Sequence, residues 1–234
     1  MRGVTWERWS AVSGLGALAL AGAAVVFERS TPDPNPSAAE VVDFYVANRS
    51  ALLVQSLLFV LSAGLLLWFV AGLRGYLAHA EGHTDRVASI VYASGIAWIT
   101  VELAVQAPQI ALARAAAGGL DQQVAVVVND VGLALATIAD VPVTVMVACV
   151  GVLSLRTRVF PVWVGWLSMV VAALHLVAWF GVTADSGPLA PGGWVTFVVY
   201  PAFVLWLVAV MVAMLRGSGR AFTTPLGAPD SGRG

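Results

Sequence analysis

Six apolar stretches divide this chain, at about 9–27, 51–73, 87–113, 131–155, 162–182 and 194–215. Each is close to or beyond the ~20 helical residues needed to cross a hydrocarbon core of ~30 Å. Lipid offers no hydrogen bonds to a backbone, so continuous apolar runs of this length must satisfy their own N–H and C=O groups as helices. The predicted fold is therefore all-α, a polytopic six-transmembrane-helix bundle occupying residues 1–216. The proportions agree: 59% hydrophobic and 11% charged residues lie far from those of a soluble domain.

Arginine fixes the predicted orientation. All 12 basic residues are Arg. Arg2, Arg8, Arg74, Arg86, Arg156, Arg158, Arg216, Arg220 and Arg233 fall on one side of the six spans, and Arg29, Arg49 and Arg114 on the other. By the positive-inside rule both termini are cytoplasmic, and the predicted location is a bacterial cytoplasmic (inner) membrane. Trp6, Trp9, Trp163, Trp166 and Trp194 sit at span ends, where interfacial anchors belong. The first span, with Arg2 and Arg8 before it, also has the outline of a signal peptide. Its apolar run continues to Phe27, which favours an uncleaved anchor.

The same composition excludes several functions. A net charge of −1 gives no reason to expect a nucleic-acid partner. Without lysine there is no retinal or pyridoxal Schiff base, and the single Cys149 permits neither an internal disulfide nor a thiolate metal cluster. No cofactor is expected.

Outside the spans, Thr31-Pro32-Asp33-Pro34-Asn35-Pro36 cannot be helical, and Ser37-Ala38-Ala39-Glu40 has the capping-box pattern. It opens an amphipathic segment at 37–49, expected as a short helix on the outer surface, roofing the bundle, or as a plain linker. The Gly-, Ser- and Pro-rich tail, 217–234, predicts disorder. The loop from His79 to Asp85, with His83, reads as a solvated turn at Gly82 in preference to a metal site.

Three ionisable side chains interrupt the apolar spans: Glu102, Asp140 and His175. Such groups are expensive in a bilayer and normally face a bundle interior or a wet cavity. Counting ~1.5 Å per residue from the Arg-rich end puts Glu102 at ~24 Å, Asp140 and Tyr200 at ~22 Å and His175 at ~21 Å. Helix faces agree. Trp98, Glu102, Gln106 and Gln109 form one stripe on span three; Asn129, Asp140 and Thr144 share a face on span four, beside Thr137; Ser168, His175 and Trp179 share one on span five. Gln55 lies slightly higher on span two. Pro142 and Pro201, within two residues of Asp140 and Tyr200, free the carbonyls of Ile138 and Phe197, as broken helices at transporter sites do or as simple kinks would.

These stripes predict one polar pocket in the outer half of the bundle. Glu102 and Asp140 are the expected proton or cation acceptors, His175 the relay, and Trp98, Trp179 and Tyr200 the walls, with Gln106 and Gln55 nearby. Two close carboxylates in a poorly hydrated site cannot both ionise cheaply, so the pocket is expected to be proton-sensitive. The leading functional expectation is a carrier or receptor for a small or lipid-like ligand. The chief alternative is a non-catalytic accessory subunit of a larger membrane complex; an intramembrane enzyme using the same three residues is a weaker one. Besides membrane lipid, a larger complex or a second copy are the expected partners. Gly14, Ala17, Ala21 and Gly22 on one face of span one, with Gly64 and Gly95, predict close helix packing or dimerisation. Arg114 and Asp130 count to the same boundary and are expected to pair.

At the join of spans four and five stands Arg156-Thr157-Arg158-Val159-Phe160-Pro161-Val162-Trp163-Val164-Gly165-Trp166. This basic turn, helix-opening proline and Trp pair resemble a motif in a family of bacterial, especially actinobacterial, multi-pass membrane proteins of unknown function. The resemblance covers roughly spans three to six. It implies a six-helix protein and carries over no catalytic residue.

Overall fold

The computed structural model describes residues 2–27, 36–82, 85–184, 187–190 and 193–217. The expected Pro-rich run up to Asn35, His83 and the tail beyond Gly217 lie outside them. The described residues form helices α1 (Arg2–Val26), α2 (Ala38–Glu81), α3 (Arg86–Ala115), α4 (Gln122–Thr157), α5 (Val162–Ala178) and α6 (Thr196–Gly217), with no strand among them. A short 3-10 helix, Trp179–Thr183, continues α5. Six helical segments are long and apolar enough to cross a membrane.

Sequence neighbours pack side by side, and α6 closes the ring by lying against both α5 and α1 while α2 also meets α4 across the interior. The start of α1 and the end of α6 lie at one end of the bundle: Ser10 sits against Gly72 of α2, and Gly14 against Met211 of α6. Glycine matters where helices approach this closely. A Cβ on Gly95 would lie 2.6 Å from Val70 Cγ1, so α2 and α3 touch through that gap. The expected packing role fails at Gly22 and Gly64, which have no neighbour within 4 Å of a would-be Cβ. They lie on faces turned away from the bundle.

The second expectation to be corrected concerns the amphipathic segment. It neither lies across the bundle nor ends before span two. Ser37 and Glu40 form the full capping box, and from there one helix of 44 residues runs to Glu81, ~66 Å at the α-helical rise. Nothing between Ala38 and Leu52 breaks a helix, and the segment's apolar face is covered lengthwise by its neighbours. Val41, Tyr45 and Leu52 of α2, Leu112 and Ala113 of α3 and Ala125 of α4 form a second small core there. Tyr45 donates to Asn129 Oδ1 at 3.4 Å and Arg49 Nε to the Ala113 carbonyl at 3.1 Å. The three longest helices thus project together. Arg114 and Asp130 do not pair.

At the opposite end the α2–α3 turn is tied by charge. Gly82 takes a positive φ of 83°. The Glu81 carboxylate then accepts the Val87 and Ala88 N–H groups at 2.9 Å each, capping α3 in place of Asp85, which pairs with Arg74 at 2.9 Å. The five span-end tryptophans are exposed, from 49% at Trp6 to 69% at Trp9.

Candidate functional site

A cavity of about 170 Å³ occupies the centre of the bundle, with residues from all six helices in its wall. Most of the polar part of that wall comes from three helices. Trp98, Glu102 and Gln106 lie four residues apart on α3 and so present one face; Asp140 comes from α4 and His175 from α5. Helices α1 and α2 contribute no titratable group, only apolar side chains and Ser62. From α6 come Tyr200 and Phe203, one turn apart. Glu102, Asp140 and His175, the three residues singled out in the apolar spans, therefore border one cavity.

Their partners are specific. His175 Nδ1 and Asp140 Oδ1 are 2.7 Å apart, tying α5 to α4, with the two side chains 2% and 15% exposed. Trp98 Nε1 donates to Glu102 Oε1 at 3.1 Å along the same helix face. The Phe203 ring stands edge-on to both Trp98 and His175, at centroid distances of 5.0 and 5.4 Å, so α6 fixes both rings from the far side. Phe203 in turn stacks on Trp206, whose Nε1 donates to Ser168 Oγ at 2.8 Å. The expected stripe on α5 is thus divided: His175 faces the cavity while Ser168 holds α6.

Two polar atoms at this centre are left over. His175 Nε2 and Gln106 Oε1 are buried and have no hydrogen-bond partner, in residues only 1% and 8% exposed. An unsatisfied buried acceptor costs roughly 1–3 kcal/mol, and most buried polar atoms in folded proteins have a partner. With Asp140 ionised, Nδ1–H donates to it, and Nε2 is then an acceptor in the neutral ring and a donor in the imidazolium. The hydrogen-bonding character of that atom therefore reverses with one proton.

Two expected members lie elsewhere. Gln55 is buried in the α2–α3 contact, where its Oε1 accepts from Gln109 Nε2 at 3.1 Å and Ser56 Oγ does so at 2.9 Å. The α3 stripe thus splits, its last member bridging helices above the cavity. Trp179 is absent from the wall, with its Nε1 buried and unpartnered in the 3-10 helix. It stands one α-helical turn after His175, its backbone N–H reaching the His175 carbonyl, at the point where α5 gives way to the 3-10 helix. Thr137 and Thr144 donate to the carbonyls of Leu133 and Asp140 within α4. Pro142 and Pro201 do lie inside helices, as does Pro108 on α3.

Phe203 was missed by polarity-based reading; its signal was a position three residues after Tyr200, on the same face. No group of three or more His, Cys, Asp or Glu side chains among the described residues could hold a metal ion. Fold and site together define a bundle of six helices long and apolar enough to cross a membrane, around a largely apolar cavity that carries a cluster of polar side chains. Comparisons with protein-family models, curated proteins and solved structures gave no match.

Proposed function

We propose that this protein is a multi-pass protein of a bacterial cytoplasmic membrane, with both termini cytoplasmic, whose central cavity binds a small ligand in a proton-dependent way as a carrier or receptor. The carrying observation is the pair of buried, unpartnered polar atoms, His175 Nε2 and Gln106 Oε1, in residues that line a cavity also bordered by two carboxyl groups. A cluster that only glued helices together would be expected to satisfy its own polar atoms, as the Gln109 bridge does. The nine-to-three division of arginines supports the orientation.

Among the described residues, Glu102, Asp140, His175 and Tyr200 are the titratable groups lining the cavity, so its net charge changes with the number of protons they hold. Thermal stability against pH, in wild type and Asp140→Asn, tests this. Diverging profiles support a proton-active centre; superimposable ones remove it.

The rival reading, an accessory subunit of a larger complex, draws support from the projecting ends of α2 and α4. Val46, Val124 and Val127 are 52%, 53% and 63% exposed there. A stoichiometric partner retained through purification, lost on Val124→Asp with Val127→Asp, would favour it.

A further inference from the structure

The geometry points to a small organic ammonium ion as the occupant of the central cavity, an inference that rests on the proton-dependent ligand site just described. The charge balance comes first. The chain has no lysine. Among the described residues no arginine borders the cavity, and the only wall group there able to become positive is His175, against the two carboxyl groups of Glu102 and Asp140. With both carboxyls ionised, one positive charge is missing even when His175 is protonated. A proton or a cation must supply it, because an uncompensated buried charge is prohibitively costly.

Hydrogen-bond supply points the same way. Trp98 Nε1 is spent on Glu102, and Ser62 Oγ donates to the Ala17 carbonyl at 2.9 Å. What the wall still offers is mainly acceptance, at the carboxylate oxygens of Glu102 and Asp140, beside the Gln106 amide, which can both accept and donate. A ligand completing this set brings N–H donors. An ammonium group brings up to three with its charge.

Size and surface then narrow the class. An engineered apolar cavity of about 150 Å³ takes up benzene, so a cavity of about 170 Å³ suits about six heavy atoms. The aromatic rings of Trp98, Phe203 and Tyr200 line it, and cations are attracted to such ring faces within about 6 Å. Leu18, Leu66, Val143 and Leu207 provide an apolar lining for a short alkyl body. A hydrated inorganic ion would leave that lining unused, and no metal-binding cluster accompanies it among the described residues.

The test uses the full chain in nanodiscs of zwitterionic lipid, with tert-butylammonium as probe, tert-butanol as its neutral near-isostere, and sodium chloride at matched ionic strength. Thermal stability and Trp fluorescence are followed on titration. The expected result is stabilisation by tert-butylammonium alone, with apparent affinity falling roughly tenfold in Glu102→Gln and in Asp140→Asn, the loss of about one charge-assisted contact. Equal stabilisation by tert-butanol or sodium chloride, or an affinity unchanged in both variants, overturns the inference. No response to the amine, with pH profiles of wild type and Asp140→Asn still diverging, would show that the cavity takes up only protons. The ammonium assignment would then fall while the proton-dependent site stands; superimposable pH profiles would remove that site itself.

Discussion

Replacing Asp140 in two different ways separates its structural contribution from its charge. Its Oδ1 lies 2.7 Å from His175 Nδ1, with the two side chains 15% and 2% exposed, so a lost bond is not replaced by solvent. Hydrogen bonds to charged groups contribute roughly 1.5–3 kcal/mol in soluble proteins. Interhelical bonds in a bilayer average ~0.6 and reach ~1.7 kcal/mol, because the unfolded helices find other partners in the membrane. The short distance and near-complete burial place this bond toward the upper membrane value. Asp140→Leu, which leaves both ring nitrogens of His175 without a partner, should therefore cost about 1.5 kcal/mol. Asp140→Asn keeps an acceptor for Nδ1–H but loses the charge assistance, about half the bond's strength, for a cost of about 0.7 kcal/mol. Reversible unfolding in mixed micelles, titrated with denaturing detergent, resolves the two. An Asn variant as unstable as Leu would mean that the carboxylate charge itself holds the fold; a neutral Leu variant would mean that the pair does not tie α4 to α5.

Glycine substitutions test the packing. Gly95→Ala forces a methyl against Val70 and Met146 and should destabilise by about 1–3 kcal/mol, whereas Gly64→Ala meets nothing within 4 Å and should stabilise by up to ~1 kcal/mol through helix propensity; detergent unfolding midpoints report both. Glu81→Ala removes the carboxylate that accepts Val87 and Ala88 N–H and should cost about 1 kcal/mol, with faster amide exchange confined to the first turn of α3. Arg74→Ala breaks only a half-exposed pair with Asp85 and should cost less than ~1 kcal/mol, shrinking further at high salt. For topology, single cysteines at Ala38 and Gly217 in a Cys149→Ala background should react with a membrane-impermeant maleimide only from outside and only from inside, respectively, in intact cells; external labelling at Gly217 would invert or break the six-span arrangement.

The helices were legible because their physics is local: runs of Val, Leu and Ala long enough to span lipid, punctuated by Gly82 and Pro161. The continuity of α2 was not. Its first turns have a short amphipathic pattern of their own, and only the lengthwise contact with Leu112 and Ala125 shows that they extend the span. In the site, residues separated by whole turns on one unbroken helix were legible, as with Trp98, Glu102 and Gln106. Trp179 was misplaced because it falls at the very end of α5, where the 3-10 helix begins, and Gln55 because a polar side chain near the right depth can as readily bridge two helices. Phe203 carries no polarity to draw notice, yet it positions both the Trp98 and His175 rings. Burial of single atoms, which left His175 Nε2 and Gln106 Oε1 unpartnered, is a property of the assembled bundle that no stretch of sequence encodes alone.

The central claim is that this cavity holds something. A high-resolution experimental map of the full chain in lipid, prepared at neutral pH without exogenous amine and again with tert-butylammonium, tests it most directly. The account predicts non-protein density within hydrogen-bonding distance of His175 Nε2 and Gln106 Oε1 with the amine present, bounded by Trp98, Phe203 and Tyr200. Side chains closed over the cavity in both maps, with His175 and Gln106 bonded to protein groups and no density between them, would contradict it.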